Sequence, residues 1–184
     1  MKRFITACKK SHFFQTFFKF DFDLGNGLPH KRTIQRHLAK VPFDTGTLHA
    51  FGEKLKTKIQ AMHPNERVVG LNIDGAKIKP CREFDSAEGS FIGHPTVNPP
   101  QETMDKREKE GQNNLDRLAT EALCVMVCGL STRWKQLIGW HLCDNSFDPL
   151  EVHAWLVEII EWLQSLGLTV VSLTMDQGPG NQAI

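Results

Sequence analysis

Two aspartates in this sequence stand where a short apolar segment gives out. Val68-Val69-Gly70-Leu71-Asn72-Ile73 runs into Asp74, and Val170-Val171-Ser172-Leu173-Thr174-Met175 runs into Asp176. Carboxylates delivered side by side at strand ends repel, and without a counter-charge one of them takes up a proton. A divalent cation resolves that conflict. Two Mg²⁺ ions roughly 3.5–4 Å apart can activate an attacking oxygen and stabilise a leaving oxygen on one phosphodiester. Mg²⁺ prefers carboxylate oxygen, water and phosphate, so aspartate suits it and cysteine is not needed. Gln177-Gly178-Pro179-Gly180-Asn181 follows Asp176; its glycines would let backbone approach a phosphate, and Asn181 could hydrogen-bond nearby. Taken singly, an aspartate after a strand is most often a turn former or a helix cap. The ordered elements around this pair are what point to metal chemistry.

Those elements run strand-Asp, strand, strand, helix, strand-Asp. Residues 121–130 form a continuous apolar segment, Ser131-Thr132-Arg133 is a turn, and Trp134 to Leu142 give a further strand. Asp148-Pro149-Leu150-Glu151 opens a helix: Asp148 caps, Pro149 suits the first helical position, and Glu151 is expected to complete a capping box. Val152, Trp155, Leu156, Ile159, Ile160 and Leu163 form a wide apolar face at helical spacing, and Gly167 supplies the left-handed stop. Trp155 and Trp162 read as core or interface aromatics. Leu168 to Met175 has the continuous apolar character of a central parallel strand. A right-handed helical crossover would lay it beside the first strand and bring Asp74 and Asp176 to neighbouring positions. A nucleotide-binding α/β domain would share the strand-helix-strand order. No GxGxxG or GxxxxGK[ST] pattern follows either strand, which argues against it.

The charge is divided along the chain. Residues 1–67 carry 13 Lys and Arg against 5 Asp and Glu, and residues 68–184 carry 9 against 16. A basic arm ahead of an acidic body suggests nucleic-acid contact by the first and cation binding by the second. Residues 1–27 hold a cluster of phenylalanines (Phe13, Phe14, Phe17, Phe18, Phe20, Phe22) and fit no element. Residues 28–63 read as two helices. Ile34, Leu38 and Val41 recur at helical spacing after Pro29, with Lys31, Arg32, Arg36 and Lys40 on the remaining surface. Thr45 or Thr47 is expected to cap the second, whose apolar stripe is Leu48, Phe51, Leu55, Ile59 and Met62, with Lys54, Lys56 and Lys58 largely off it. One reading is a helix-turn-helix-like DNA-binding unit using Lys31, Arg32, Arg36 and Lys40. The other is a helix pair that packs on the core. Residues 94–118 are polar and proline-interrupted, and read as an insertion loop, partly disordered.

The apolar fraction of 40% and charged fraction of 23% are ordinary for a globular chain. No apolar run approaches the roughly 18 residues a bilayer span requires. Five cysteines without paired spacing (Cys8, Cys81, Cys124, Cys128, Cys143) read as reduced thiols.

Four segments in order resemble the P-element transposase family and its THAP-domain-containing relatives. Leu28 to Leu38 is similar to the opening of that family's helix-turn-helix region, and Val69 to Asp74 to its first RNase H strand. Met126 to Leu130 with Trp134 to Trp140 resembles its following hairpin, and Leu166 to Val170 with Asp176 to Asn181 its next strand and acid. The resemblance covers roughly residues 28–184. It implies an RNase H-like mixed sheet over residues 67–184, comprising the N-terminal part of that fold, behind a small basic helical module. It also implies a DDE-type DNA transposase in the nucleus, using Mg²⁺ or Mn²⁺ held by Asp74 and Asp176 as metal-binding catalytic residues, with DNA as partner. The sequence departs from the family in places. Gly75-Ala76 follows Asp74 where the family often has a glutamate, and Gln136-Leu137 lacks the usual proline. The zinc-binding THAP module, the GTP-binding insertion and the stretch bearing the final glutamate have no counterpart here. The expectation is therefore a transposase fragment, inactive alone for lack of the third acid, with the missing C-terminal part or another copy of itself as a further partner. The alternative is a non-catalytic DNA-binding or protein-interaction remnant.

Overall fold

The computed structural model describes residues 43–85, 89–110, 117–144 and 146–176. The chain divides into two compact units between Asp44 and Thr45. The earlier unit lies almost wholly outside the described residues, and with it the expected first basic helix and the phenylalanine-rich segment.

In the later unit, β1 (Gly46–Thr47) is followed by α1 (Gly52–Gln60) and the long strand β2 (Val68–Lys77). The short hairpin strands β3 (Glu83–Asp85) and β4 (Ser90–Ile92) come next, then α2 (Gln101–Lys109). The unit continues with β5 (Glu121–Gly129), β6 (Lys135–Cys143), α3 (Pro149–Ser165) and β7 (Thr169–Met175). Among the described residues five strands form one mixed sheet in the order β1-β6-β5-β2-β7. β2, β5 and β6 are antiparallel to their neighbours in a meander, whereas β7 joins β2 in parallel after α3 crosses over.

The alternation of each strand decides which face is covered. Val69, Leu71 and Ile73 of β2 and Leu123, Val125 and Val127 of β5 are buried on one side, where α3 packs. Val152, Trp155, Leu156, Ile159 and Leu163 are the buried stripe of α3, as its spacing predicts. The helix begins at Asp148, whose carboxylate accepts from the Leu150 N–H at 2.9 Å. The capping box does not form. Glu151 instead accepts from the Asn98 backbone N–H at 2.9 Å, so its carboxylate ties the inserted segment to the helix start. At the other end Gly167 adopts φ +98°, and Gly167 and Leu168 donate back to Gln164 and Leu163, a Schellman closure.

Two further expectations are revised. Residues 94–118, expected to be a loop, contain α2, and Arg107 of that helix meets Asp144 at 2.9 Å while Arg117 meets the same carboxylate at 3.3 Å. A single aspartate just past the end of β6 thus holds both the helix and the C-terminal end of the stretch. The second expected helix forms and packs on the core, as one of its two readings has it, but the expected threonine cap does not form. Phe51, Leu55 and Ile59 are buried, Leu48 donates to the Ile138 carbonyl at 2.8 Å, and Gly52 lies against the Trp162 ring. Thr47 caps nothing. Its hydroxyl donates to Glu158 at 2.8 Å and accepts from Trp155 Nε1 at 3.1 Å, joining β1 to α3. Lys58, expected largely off the stripe, sits 4.4 Å over the Trp134 ring, and burial lowers its pKa.

Candidate metal-binding site

The pairing of β2 with β7 places the two aspartates. Asn72 lies opposite Thr174 and Ile73 opposite Met175; the next residue on each strand is Asp74 and Asp176. Parallel neighbours run about 4.8 Å apart, so the two carboxylates leave adjacent strands at the same level. Ile73 is buried on the helix-covered side. Alternation therefore turns Asp74 to the opposite face, together with Asn72 and, from β5, its pairing partner Cys124. Asp176 falls in step with Thr174 on that same face. Both aspartates are solvent-exposed, which leaves room for water and phosphate oxygens beside them.

Other parts of the chain meet at this end of the sheet. β6 runs parallel to β2, so Asp144, just past its end, lies at the same edge of the sheet as Asp74. The whole segment inserted between β2 and β5 leaves and re-enters the sheet at this edge, with Ile78 N–H donating to the Thr120 carbonyl at 2.9 Å and Ala119 N–H to that of Gly93 at 2.8 Å. Two carboxylates at this edge are already engaged. Asp144 holds its two arginines, and Glu121 holds Lys77 at 2.8 Å. Glu121 pairs with Lys77 across the strands and by alternation falls on the face of Ile73. It reaches across Gly75, where a Cβ would collide with its carboxylate. Gly75 thus leaves space for an ion pair on the side away from Asp74.

Among the described residues no three His, Cys, Asp or Glu side chains converge in a group able to hold a metal. The pair of exposed aspartates still has the donor chemistry of Mg²⁺, which keeps several waters and takes one or two carboxylates plus substrate phosphates. Lys31, Arg32, Arg36 and Lys40 lie outside the described residues, as does the Gly178-Pro179-Gly180-Asn181 segment. Sequence reasoning missed the arginine pair on Asp144 and the hairpin formed by β3 and β4; the alternation of Arg82, Phe84 and Phe91 with polar residues was the available signal for the latter.

Comparison with known proteins agrees with this architecture. A family model described as "TNP-like, RNase H N-terminal domain" matches residues 43–184. No curated protein matches the sequence. Among solved structures, the Drosophila P element transposase strand transfer complex superposes with a TM-score of 0.58 at 20% identity, over 97% of this chain and 33% of that one. This chain thus spans about a third of that protein's length. The mixed α/β sheet has the RNase H-like fold.

Proposed function

This chain belongs to the TNP-like RNase H N-terminal domain family, and on that premise we propose that it is the segment of a P-element-like DNA transposase that carries two metal-binding acids, Asp74 and Asp176. The observation that carries the proposal is the parallel register Ile73–Met175, with an aspartate next on each strand. Bound Mg²⁺ or Mn²⁺ would supply the charge that activates an attacking oxygen and stabilises a leaving oxygen at a phosphodiester.

The chain's own part is to hold and orient. Leu71 and Ile73, buried beneath α3, fix the backbone of β2 so that Asp74 cannot turn inward. Thr174 and Asn72 keep the floor between the strands polar. DNA is the proposed substrate, and Lys31, Arg32, Arg36 and Lys40 are proposed to contact its phosphates, in the nucleus. A further acid, needed to complete the catalytic set, is proposed to come from another transposase segment. The charge division, 13 basic against 5 acidic residues over 1–67, supports a second reading in which the chain binds DNA without cutting it.

Calorimetric titration of the full chain with Mn²⁺ tests the metal proposal. Binding is expected in the wild type and is expected to disappear in both Asp74→Asn and Asp176→Asn. Binding that survives both substitutions would overturn it. For the second reading, DNA affinity should fall steeply with salt, and the slope should shrink when Lys31, Arg32 and Arg36 are neutralised.

A further inference from the structure

The hairpin of β3 and β4 has two unlike faces. Phe84 pairs with Phe91, Glu83 with Ile92 and Asp85 with Ser90. Directly opposed residues share a face, so the two phenylalanines stand together and Glu83 falls on the reverse. The rings meet edge to face with centroids 5.3 Å apart. Arg82 joins them, its guanidinium 4.4 Å over the Phe91 ring. The result is a patch of two rings and one guanidinium, with Glu83 on the opposite face.

This patch remains open to solvent. Phe84 is 53% and Phe91 54% exposed, so each residue keeps about half of its surface in contact with solvent. The stem, by contrast, is tied down: Ile78 and Ala119 hydrogen-bond across its base, and Gly93, at φ +124°, lies so close to the Cys81 carbonyl that a Cβ would collide with it. The rings therefore stand on a hairpin whose base is hydrogen-bonded to the segment entering β5. The hairpin leaves the sheet at the end where Asp74 emerges, and exposed Lys79 lies on the connecting segment.

Aromatic faces beside a guanidinium fit a nucleobase with its phosphate. Every base offers a π-face for stacking, and Arg adds both a cation–π contact and a phosphate partner. We infer that the Arg82–Phe84–Phe91 face of the hairpin is a stacking platform for an unpaired base of DNA approaching the aspartate pair. This rests on DNA being the substrate. Duplex DNA keeps its bases stacked on one another and offers only edges and phosphates, so the platform distinguishes single strands, flaps or splayed ends from duplex.

The test measures binding of the full chain to a fluorescein-labelled oligothymidylate and to a duplex of equal length, by anisotropy. Phe84→Ala and Phe91→Ala are expected to weaken the single strand by roughly five-fold to 150-fold, the range for loss of one stacked base, and to leave the duplex unchanged. Phe91→Trp, which restores an aromatic face, is expected to rescue binding. A 2-aminopurine placed in the strand should be quenched by wild type and Phe91→Trp and not by Phe91→Ala. Single-strand binding that is unaffected by both alanine substitutions overturns the platform and leaves the DNA reading standing. A wild-type chain that binds neither probe overturns both. Equal losses on duplex and single strand also overturn the platform, since they report a change in fold or charge rather than stacking.

Discussion

Gly139→Ala tests how α3 is seated on the sheet, and therefore how β7 reaches its place. A Cβ at Gly139 would lie 2.7 Å from Trp155 Cζ2, 3.1 Å from the Gly46 carbonyl oxygen and 3.4 Å from Ile159 Cδ1. The first of these is too short for carbon atoms, so the indole must shift by about 1 Å to reach the roughly 3.5–4.0 Å at which carbons attract. Trp155 cannot move alone. Its Nε1 donates to Thr47 at 3.1 Å, its ring stands edge to face on His141 at 4.4 Å, and Thr47 is held by Glu158. Overpacking of this kind costs about 1–3 kcal/mol, and a weakened hydrogen bond adds about 0.5–1.5 kcal/mol. Replacing a strand glycine returns about 0.5–1 kcal/mol through lost unfolded-state freedom. The net expectation is a loss of about 2 kcal/mol, a substantial part of the roughly 5–15 kcal/mol that stabilises a domain. Urea unfolding followed by tryptophan fluorescence should show a lower midpoint at unchanged slope. In the cycle with Trp155→Phe, the double variant should lose less than the sum of the singles, because the smaller ring vacates the space the new methyl needs. A Gly139→Ala midpoint equal to or above wild type would refute the packing argument, and strict additivity would show that the strain lies elsewhere.

Other outcomes follow from the same geometry. Asp148→Ala removes the acceptor for the Leu150 N–H and should cost about 1 kcal/mol in urea unfolding; Asp148→Ser should recover most of it. Burial pushes the Cys143 thiol up to about 12, so in native protein it should be alkylated by iodoacetamide far more slowly than in denatured protein; peptide mass spectrometry reads this, and equal rates would contradict its burial. Burial lowers the pKa of His141, with Glu158 opposing the shift. Below its ordinary value near 6.5 the unfolded chain takes up the proton more readily, so stability should fall as pH drops from about 6.5 through the lowered pKa and should be insensitive to this residue above 6.5. Urea midpoints measured between pH 5 and 8 on wild type and His141→Gln should show a shallower acid limb in the variant.

The sequence by itself determined the elements and the polarity of their faces. The apolar runs that stop at Asp74 and Asp176, the i, i+3, i+4 stripe of α3 and the Asp148 and Gly167 stops are local patterns, and local patterns fix backbone periodicity and which side shuns water. They also made the adjacency of the two aspartates legible, since a strand-helix-strand crossover admits essentially one hand. The surface each apolar face would meet was decided only by the tertiary structure. The stripe of α1 reads equally as one half of a DNA-binding pair or as a core helix, and only the fold shows that Phe51, Leu55 and Ile59 are buried. The run from Leu168 to Met175 reads as a central strand, yet among the described residues β7 is the edge of the sheet, with Val171 57% and Leu173 44% exposed. Hydrophobicity records that a strand is apolar on both sides, not what lies beyond it. Partner choice was equally hidden for Glu151, Thr47 and Asp144. Each is suited to a local bond and each was claimed by a group from a distant part of the chain, because the fold brought a partner closer than the local one.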